Sequence, residues 1–413
     1  MLCVAGGRVA AADATANTVV WISIDGFRHD YLRRIKPPAL WRLANEGAWT
    51  HDEIPVFPSL TFPNHIAQAT GVTADKNGIP MNTFFDTATG QTYSLPDDGS
   101  LLRAEPIWVT GRRQGVGVAV IDWPMSHKQT GPWQSDFYAD HFDAKQTDAH
   151  RLQSVAKLIN SAPNPRELRL IMSYVSHVDT VGHQYGPDST QISDAVLQVD
   201  GEIGDFLQST IKWFDATHKA DDQLYVLITT DHGMHSVSTL VNLERLLGVE
   251  LSEGARVVPN APIASIYLSN RAPEPLRQRV AAILSRLRTV PYLHAWRAAE
   301  VPAEFHFADP SRIGDVVVLL EPGYGFTPLR FAVTRPSITE AGMHGYDPAV
   351  CPEMRGAAIL WHYHHPMNGL DLGPIVNTQW HATVAWLLGI KPAPGSDQRP
   401  IGPPDAAPAQ LAR

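Results

Sequence analysis

The sequence predicts an α/β fold: a mainly parallel central sheet with helices on both faces and a smaller inserted α+β lobe. Three observations predict it. Short apolar runs recur along the chain and end abruptly in polar or glycine residues. Amphipathic stretches lie between them, the alternation expected when helices cover a sheet from both sides. The runs are apolar without strict alternation, which suits strands buried on both faces of a parallel sheet.

The first clear strand is "TVVWISI" (18–24), which ends in Asp25-Gly26. "GVAVI" (117–121) and "LRLIMSYV" (168–175) follow. "DSTQISDAVLQVDGEIGDFLQSTIKWF" (188–214) reads as one long helix, because Ile192, Val196, Val199, Ile203 and Phe206 recur every three or four residues. "QLYVLITT" (223–230) is the next strand and runs into Asp231-His232-Gly233-Met234. From Gly248 the pattern changes: "ASIYLS", a helix "EPLRQRVAAILSRLR", "LHAWRA" and "GDVVVLLE" predict a βαβ-type insertion over 248–326. The chain returns to helix near 378–388, "TQWHATVAWLL". The main domain is thus expected to span 18–247 and 327–395, with 396–413 as a flexible tail. At the other end, "MLCVAGGRVAAADATA" carries small residues in A-x-A order after a short apolar stretch. Residues 1–17 are therefore read as the remnant of a secretory signal, which implies a periplasmic or secreted protein; a disordered cytoplasmic leader is the alternative.

A chain of 413 residues, 44% hydrophobic and 18% charged, can bury the core of one large α/β domain or two smaller ones. Its net charge of -9 and lack of a long basic run exclude nucleic acid as a stable partner. A small anionic substrate needs only a local positive site, which metals can supply. Cys3 and Cys351 suggest no structural disulfide. No run of about 20 apolar residues exists to span a membrane. The oligomeric state is not legible.

Ligands of open α/β sheets gather at the carboxyl ends of strands, where Asp25 and Asp231 can meet. Singly, a strand-end aspartate is an ordinary turn former or helix cap. Asp231-His232 together offer carboxylate and imidazole, favoured ligands of zinc and related ions. "SHVDTVGHQYGP" sets Asp179 four residues before His183, which on one helical turn points both side chains the same way. An exposed salt bridge is the alternative for that pair. His344, in "EAGMHGYDP", is the last candidate. Three carboxylates and three imidazoles suffice for two metal sites of three protein ligands each. Two ions of that kind suit an in-line displacement at phosphorus, so phosphoryl transfer is the leading reaction class.

Five ordered motifs, "ISIDGFRHDYL", "FPSLTFPNH", "HVDTVGHQYGP", "TTDHGM" and "GMHGYD", resemble those of the nucleotide pyrophosphatases/phosphodiesterases of the alkaline phosphatase superfamily. The resemblance runs from about residue 18 to about 350 and extends to "VPAEFHFADPSRIGDVVVLLEPGYGF" in the insertion. It implies an alkaline phosphatase-like fold and two Zn²⁺ ions, with other divalent metals as alternatives. One ion would be held by Asp25, Asp231, His232 and the Thr61 hydroxyl, the other by Asp179, His183 and His344. Thr61 falls on the family's nucleophile and Asn82 on the asparagine that hydrogen-bonds a phosphate oxygen. Coordination makes a threonine alcohol reactive without a neighbouring base. A phosphothreonine intermediate and release of a nucleoside 5′-monophosphate from a nucleotide phosphodiester or anhydride follow. Phe62, directly after the nucleophile, and Tyr138 in "SDFYADHF" are the candidate walls for a nucleobase.

The chain departs from the family at several points. Leu60 stands where many relatives carry lysine, and Asn77-Gly78 where many have His-Gly. "WPMS" (123–126) replaces Trp-Pro-Gly-Ser, and "ILWHYHHPMNGLDLGPIV" (359–376) matches no family segment, leaving His362, His364 and His365 without a role. Within the superfamily, the alternatives are a lysophospholipid or choline-type phosphodiesterase and a phosphonate or phosphomonoester hydrolase. No arginine lies near Thr61 to hold a dianion, which favours a diester. "CPEMR" lacks the third-position proline of the sulfatase motif. The non-enzyme alternative is a degenerate metal-binding scaffold.

Overall fold

Burial on both faces makes a parallel sheet of the apolar runs. The computed structural model describes residues 15–269, 271–327, 333–337, 341–396 and 398–401. The expected leader therefore lies almost wholly outside the described residues, as do Cys3 and most of the tail. The main sheet uses β1 (Asn17–Ile24), β2 (Ala48–Ile54), β3 (Gly117–Ile121), β4 (Phe137–Tyr138), β5 (Leu168–Val175), β6 (Gln223–Thr229) and β7 (Gly356–His362). Its order is β2-β7-β6-β1-β5-β3-β4, with two short strands, Leu370–Asp371 and Ile375–Val376, also paired to β2. Strand β1 runs parallel to β5 and β6, and only β7 runs against its neighbours β2 and β6. The carboxyl ends of β1, β5 and β6 therefore share one edge.

Side chains of β1 alternate between two core layers. Val19 and Trp21 join Leu170, Met172 and Leu227 on one face; Val20, Ile22 and Ile24 join Ile171, Val226 and Ile228 on the other. Helices α1 (Thr61–Thr70) and α6 (Gln379–Leu388) cover the first face. Helices α2 (Asp148–Asn160) and α4 (Thr190–Thr217) cover the second. Helix α4 starts where the Ser189 side chain accepts from Ile192 N at 3.2 Å. It runs three residues past the expected end at 214, to Thr217, whose Oγ1 donates to Trp213 O at 2.7 Å. Each large apolar side chain it buries contributes about 1.5–3 kcal/mol, so docking on the sheet, not intrinsic propensity, holds it helical.

The inserted lobe is a four-stranded antiparallel sheet ordered Ala255–Asn260, Ile263–Leu268, Val316–Leu320, Leu293–Arg297. Ile263–Leu268 and Leu293–Arg297 are joined by helix α5 (Pro273–Leu287) and flank the antiparallel Val316–Leu320, so the βαβ unit is split. Leu243, Leu246 and Leu247 also pack into this lobe's core, so its apolar cluster begins before residue 248.

Candidate active site

Six carboxylate and imidazole side chains and Thr61 meet at the shared carboxyl edge. Asp25 directly follows β1, and its backbone N–H donates to Val175 O at 2.9 Å, locking it beside β5. Asp179 and His183 lie on α3 (His177–Tyr185), which follows β5. Asp231 and His232 follow β6, and His344 follows the short strand Gly342–Met343. Thr61 opens α1, where Oγ1 lies 3.3 Å from His232 Nε2. His232 Nε2 is in turn 3.4 Å from Asp25 Oδ1 and 3.1 Å from Asp231 Oδ2. His344 Nε2 and His183 Nε2 each lie 3.6 Å from Asp179 Oδ1.

The hydrogen bonds mark this cluster as a candidate cation site. His183, His232 and His344 each donate Nδ1–H to a backbone carbonyl, Gly342 O at 2.9 Å, Gly233 O at 3.0 Å and Ser59 O at 2.9 Å respectively. All three Nε2 lone pairs therefore face inward, and those of His183 and His344 confront each other at 3.1 Å. Asp25 Oδ1, Asp179 Oδ1 and Asp231 Oδ2 are buried with no hydrogen-bond partner. Acceptors gathered this way repel one another unless a positive ion sits among them. Burial, with the Asp231 and Asp179 carboxylates next to it, pushes the Asp25 carboxyl well above its ordinary range. Two ligand groups are gathered, Asp25 with Asp231 and His232, and Asp179 with His232 and His344; His183 joins the second through its 3.6 Å approach to Asp179.

Surrounding side chains hold these ligands. Tyr174 O–H donates to Asp25 Oδ2 at 2.5 Å, and Gly26 N donates to Asp231 Oδ1 at 3.1 Å. Buried Glu53 accepts from Thr230 N at 3.1 Å and Trp380 Nε1 at 2.6 Å, fixing the strand end before Asp231. His65 Nδ1–H donates to Thr61 O at 2.9 Å and its Nε2 accepts from Ser23 Oγ at 2.9 Å. Asn64 ties the loop before Thr61: Nδ2 donates to Pro58 O and Leu60 O at 3.0 and 2.8 Å, while Oδ1 accepts from Val56 N at 2.8 Å. None of Tyr174, Glu53, His65 and Asn64 was singled out from the sequence, although Asn64 and His65 stand inside the quoted "FPSLTFPNH". An isolated sequence does not reveal which polar residue supports a ligand until the partner's position is known.

Asn82 Oδ1 accepts from Phe62 N at 2.9 Å, which turns its amide N–H₂ outward as a donor. Asn82, His183 and His344 line a cleft of about 320 Å³ with Leu60, Asn260, Ala261, Phe326 and Met343. The inserted lobe thus supplies one wall. Phe62 is half-buried against the first core layer. Tyr138 sits in β4, its hydroxyl 3.4 Å from Gln129 O and its ring on the same core layer, and no described contact links it to the cluster. Phe142, four residues later in the same stretch, is 38% exposed and meets Tyr174 edge-on at 5.9 Å, one side chain away from Asp25. The pairing of β4 with β3 holds Tyr138 at the sheet edge, and a sequence does not show where such a short strand ends.

Phe142 rests on a buried ion network. Arg151, 0% exposed, has its guanidinium 4.9 Å from the Phe142 ring. Arg151 Nε donates to Asp122 Oδ2 at 2.6 Å and Nη1 to Asp148 Oδ1 at 2.7 Å. Asp148 also accepts from Ser176 N and His177 N at the start of α3, the helix that carries Asp179. Replacing Arg151 by methionine leaves two buried carboxylates without the guanidinium between them and is expected to cost about 3–5 kcal/mol of stability. A urea midpoint unchanged from wild type would refute that role.

Among the departures from the family pattern, Met125 of "WPMS" is buried with a positive φ of 67°, two residues after Trp123, whose Nε1–H donates to His65 O at 3.1 Å behind the Thr61 loop. Asn77 Oδ1 accepts from Ile79 N at 2.9 Å and Nδ2 donates to Val72 O at 3.0 Å, closing a turn. His362 pairs with Tyr225 near the start of β6, at the end of the sheet away from the cluster, and stacks on that ring at 4.2 Å.

A parallel α/β sheet whose carboxyl edge gathers carboxylates and imidazoles around a hydroxyl defines a metal-dependent hydrolase. Residues 19–347 match the family model of type I phosphodiesterase / nucleotide pyrophosphatase, and the chain belongs to that family. It is a phosphoric diester hydrolase by class. A bis(5'-adenosyl)-triphosphatase of Xenopus laevis is 30% identical over 339 residues, covering 80% of this chain and 69% of the relative. An uncharacterized pyrophosphatase/phosphodiesterase of Schizosaccharomyces pombe is 28% identical, covering 92% of this chain and 78% of its own. The murine ectonucleotide pyrophosphatase / phosphodiesterase 5 structure shares the fold with a TM-score of 0.77 and 23% identity, covering 92% of this chain and 96% of that one. An inactive threonine-to-alanine form of the murine protein, in complex with AMP, gives 0.78 and 22% identity over the same shares. Among the described residues, no helix is long and apolar enough to cross a membrane.

Proposed function

We propose that this chain is a two-zinc phosphodiesterase that cleaves nucleotide phosphodiesters or phosphoanhydrides, releases nucleoside 5′-monophosphates and acts in the periplasm or outside the cell. The observation that carries it is the inward convergence of three partnerless carboxylate oxygens and three imidazole Nε2 atoms beside Thr61 Oγ1. Imidazole and carboxylate donors in sets of three suit zinc with a position left open. Asp25, Asp231 and His232 would hold one ion and Asp179, His183 and His344 the other. The ions would supply charge stabilisation at phosphorus and acidify the hydroxyl of the nucleophile.

The chain's own groups then divide the work. Thr61 Oγ attacks phosphorus, the bond to the leaving oxygen breaks, and a phosphothreonine forms; water attacks that phosphorus in the second half and restores the hydroxyl. The N-terminal end of α1 adds partial positive charge under the phosphoryl group. Asn82 offers its amide N–H to a non-bridging oxygen, pre-aimed by the bond from Phe62 N. Phe62 and the exposed face of Phe142 offer aromatic surface to a nucleobase. The AMP held by the murine structure and the inactivating threonine exchange there support this reading.

The test compares bis(p-nitrophenyl) phosphate, p-nitrophenyl phosphate, a nucleotide 5′-ester and a lysophospholipid, each with and without chelator. Hydrolysis of the nucleotide ester ahead of the monoester, abolished by chelator and restored by zinc, is expected. Equal or better turnover of the monoester would refute the diesterase assignment, and preference for the lysophospholipid would remove the base-stacking role of Phe62.

A further inference from the structure

We propose that His235, Cys351 and Glu353 form an additional metal site, separate from the catalytic cluster, that takes a thiophilic divalent cation of the zinc, cobalt or cadmium kind. One ligand atom of each lies within 4.8 Å of the other two, the spacing that also gathers Asp25 with Asp231 and His232. His235 Nδ1–H donates to Ser236 O at 2.7 Å, leaving the Nε2 lone pair free. The three catalytic histidines are prepared in the same way, by a backbone carbonyl that fixes the tautomer.

Cys351 is 1% exposed and stands among Val237, Leu240, Met343, Tyr346 and Met354. Its Sγ lies 3.5 Å from Glu353 Oε2, so the thiol proton is directed at the carboxylate. A divalent cation replaces that proton: the metal–sulfur bond forms, one proton leaves to solvent, and no electron is transferred. His235 and Glu353 are half-buried and open the site to solvent on the side away from the apolar wall. Imidazole nitrogen, thiolate sulfur and carboxylate oxygen, completed by water, make a tetrahedral set for a borderline or soft ion, whereas calcium and magnesium prefer oxygen alone.

The position gives the site a purpose. His235 pairs with Met343, the residue before His344, and Gly233 N donates to Met354 O at 2.7 Å. A cation here ties the turn at Cys351–Met354 to the strand that follows His232, bracing both catalytic loops from behind.

Cobalt(II) titration of the metal-free full chain tests this, read by thiolate-to-cobalt charge transfer in the near ultraviolet. The catalytic cluster holds only nitrogen and oxygen donors and contributes no such band. The expected band reaches the amplitude of one cobalt–thiolate site per chain, disappears in Cys351→Ser, persists in Cys3→Ser, and requires about 100-fold more cobalt in His235→Ala. No band in protein that binds cobalt, or a band that survives Cys351→Ser, overturns the proposal. Where Cys351→Ser does not fold, an unweakened band in both His235→Ala and Glu353→Gln overturns it equally. The absorption does not depend on hydrolysis, so its failure and failure of the phosphodiesterase reading are distinguishable.

Discussion

Thr61→Ala is expected to lower turnover of a nucleotide ester by roughly 10⁴-fold or more while leaving the metal content of the protein intact. The alanine removes one hydroxyl at the first residue of α1 and leaves the six clustered carboxylate and imidazole groups in place. The loop geometry survives too, because Asn64 holds Pro58 O and Leu60 O, and His65 bonds the Thr61 carbonyl and not its side chain. The large loss therefore separates covalent catalysis from simple activation of water, in which the threonine would be dispensable. Rate measurements paired with elemental analysis of the same samples decide it. Retained turnover with full metal content would remove Thr61 as nucleophile.

Strands β1, β3, β5 and β6 were legible because each is a predominantly apolar run, and burial on both faces favours that composition. Strand β7 was not, because "GAAILWH" opens with small residues and lies in a stretch that matches no family motif. Strand β2, "AWTHDEI", carries too many polar residues to stand out; its Glu53 is buried for the sake of Thr230 and Trp380, partners far away in sequence. The site divides along the same line. Ligands at strand ends announce themselves by residue type and position, as Asp25 and Asp231-His232 do. Residues that aim those ligands look ordinary, and Tyr174 reads as one more apolar position of β5 until its hydroxyl is seen on Asp25. Of the aromatic candidates, Phe62 stands out by adjacency to Thr61, whereas Phe142 stands out only once the two-residue strand Phe137–Tyr138 and the contact with Tyr174 are seen.

Asp25→Asn is expected to have opposite effects on stability in the two metal states. In metal-free protein, Asp25 Oδ1 is buried without a partner, and burial together with Asp231 and Asp179 pushes its carboxyl up from the ordinary value of 3.8. The folded state therefore binds that proton more tightly than the unfolded state. Wild-type metal-free protein must lose stability as pH rises above the ordinary carboxylate range and through the raised folded value. Asparagine keeps an oxygen for the Tyr174 hydroxyl and carries no charge, so the variant escapes this loss. At neutral and alkaline pH the metal-free variant should be the more stable by about 1–3 kcal/mol, the cost of one buried unsatisfied polar group. With zinc the order reverses, since the neutral amide is a poor ligand and wild type gains the binding energy that the variant forgoes. Urea melts in chelator and in zinc, at several pH values, read the crossing directly. Destabilisation in both states would mean that Asp25 serves the fold alone, whereas a crossing means that the unfavourable cluster persists in the apo fold because metal binding more than offsets it.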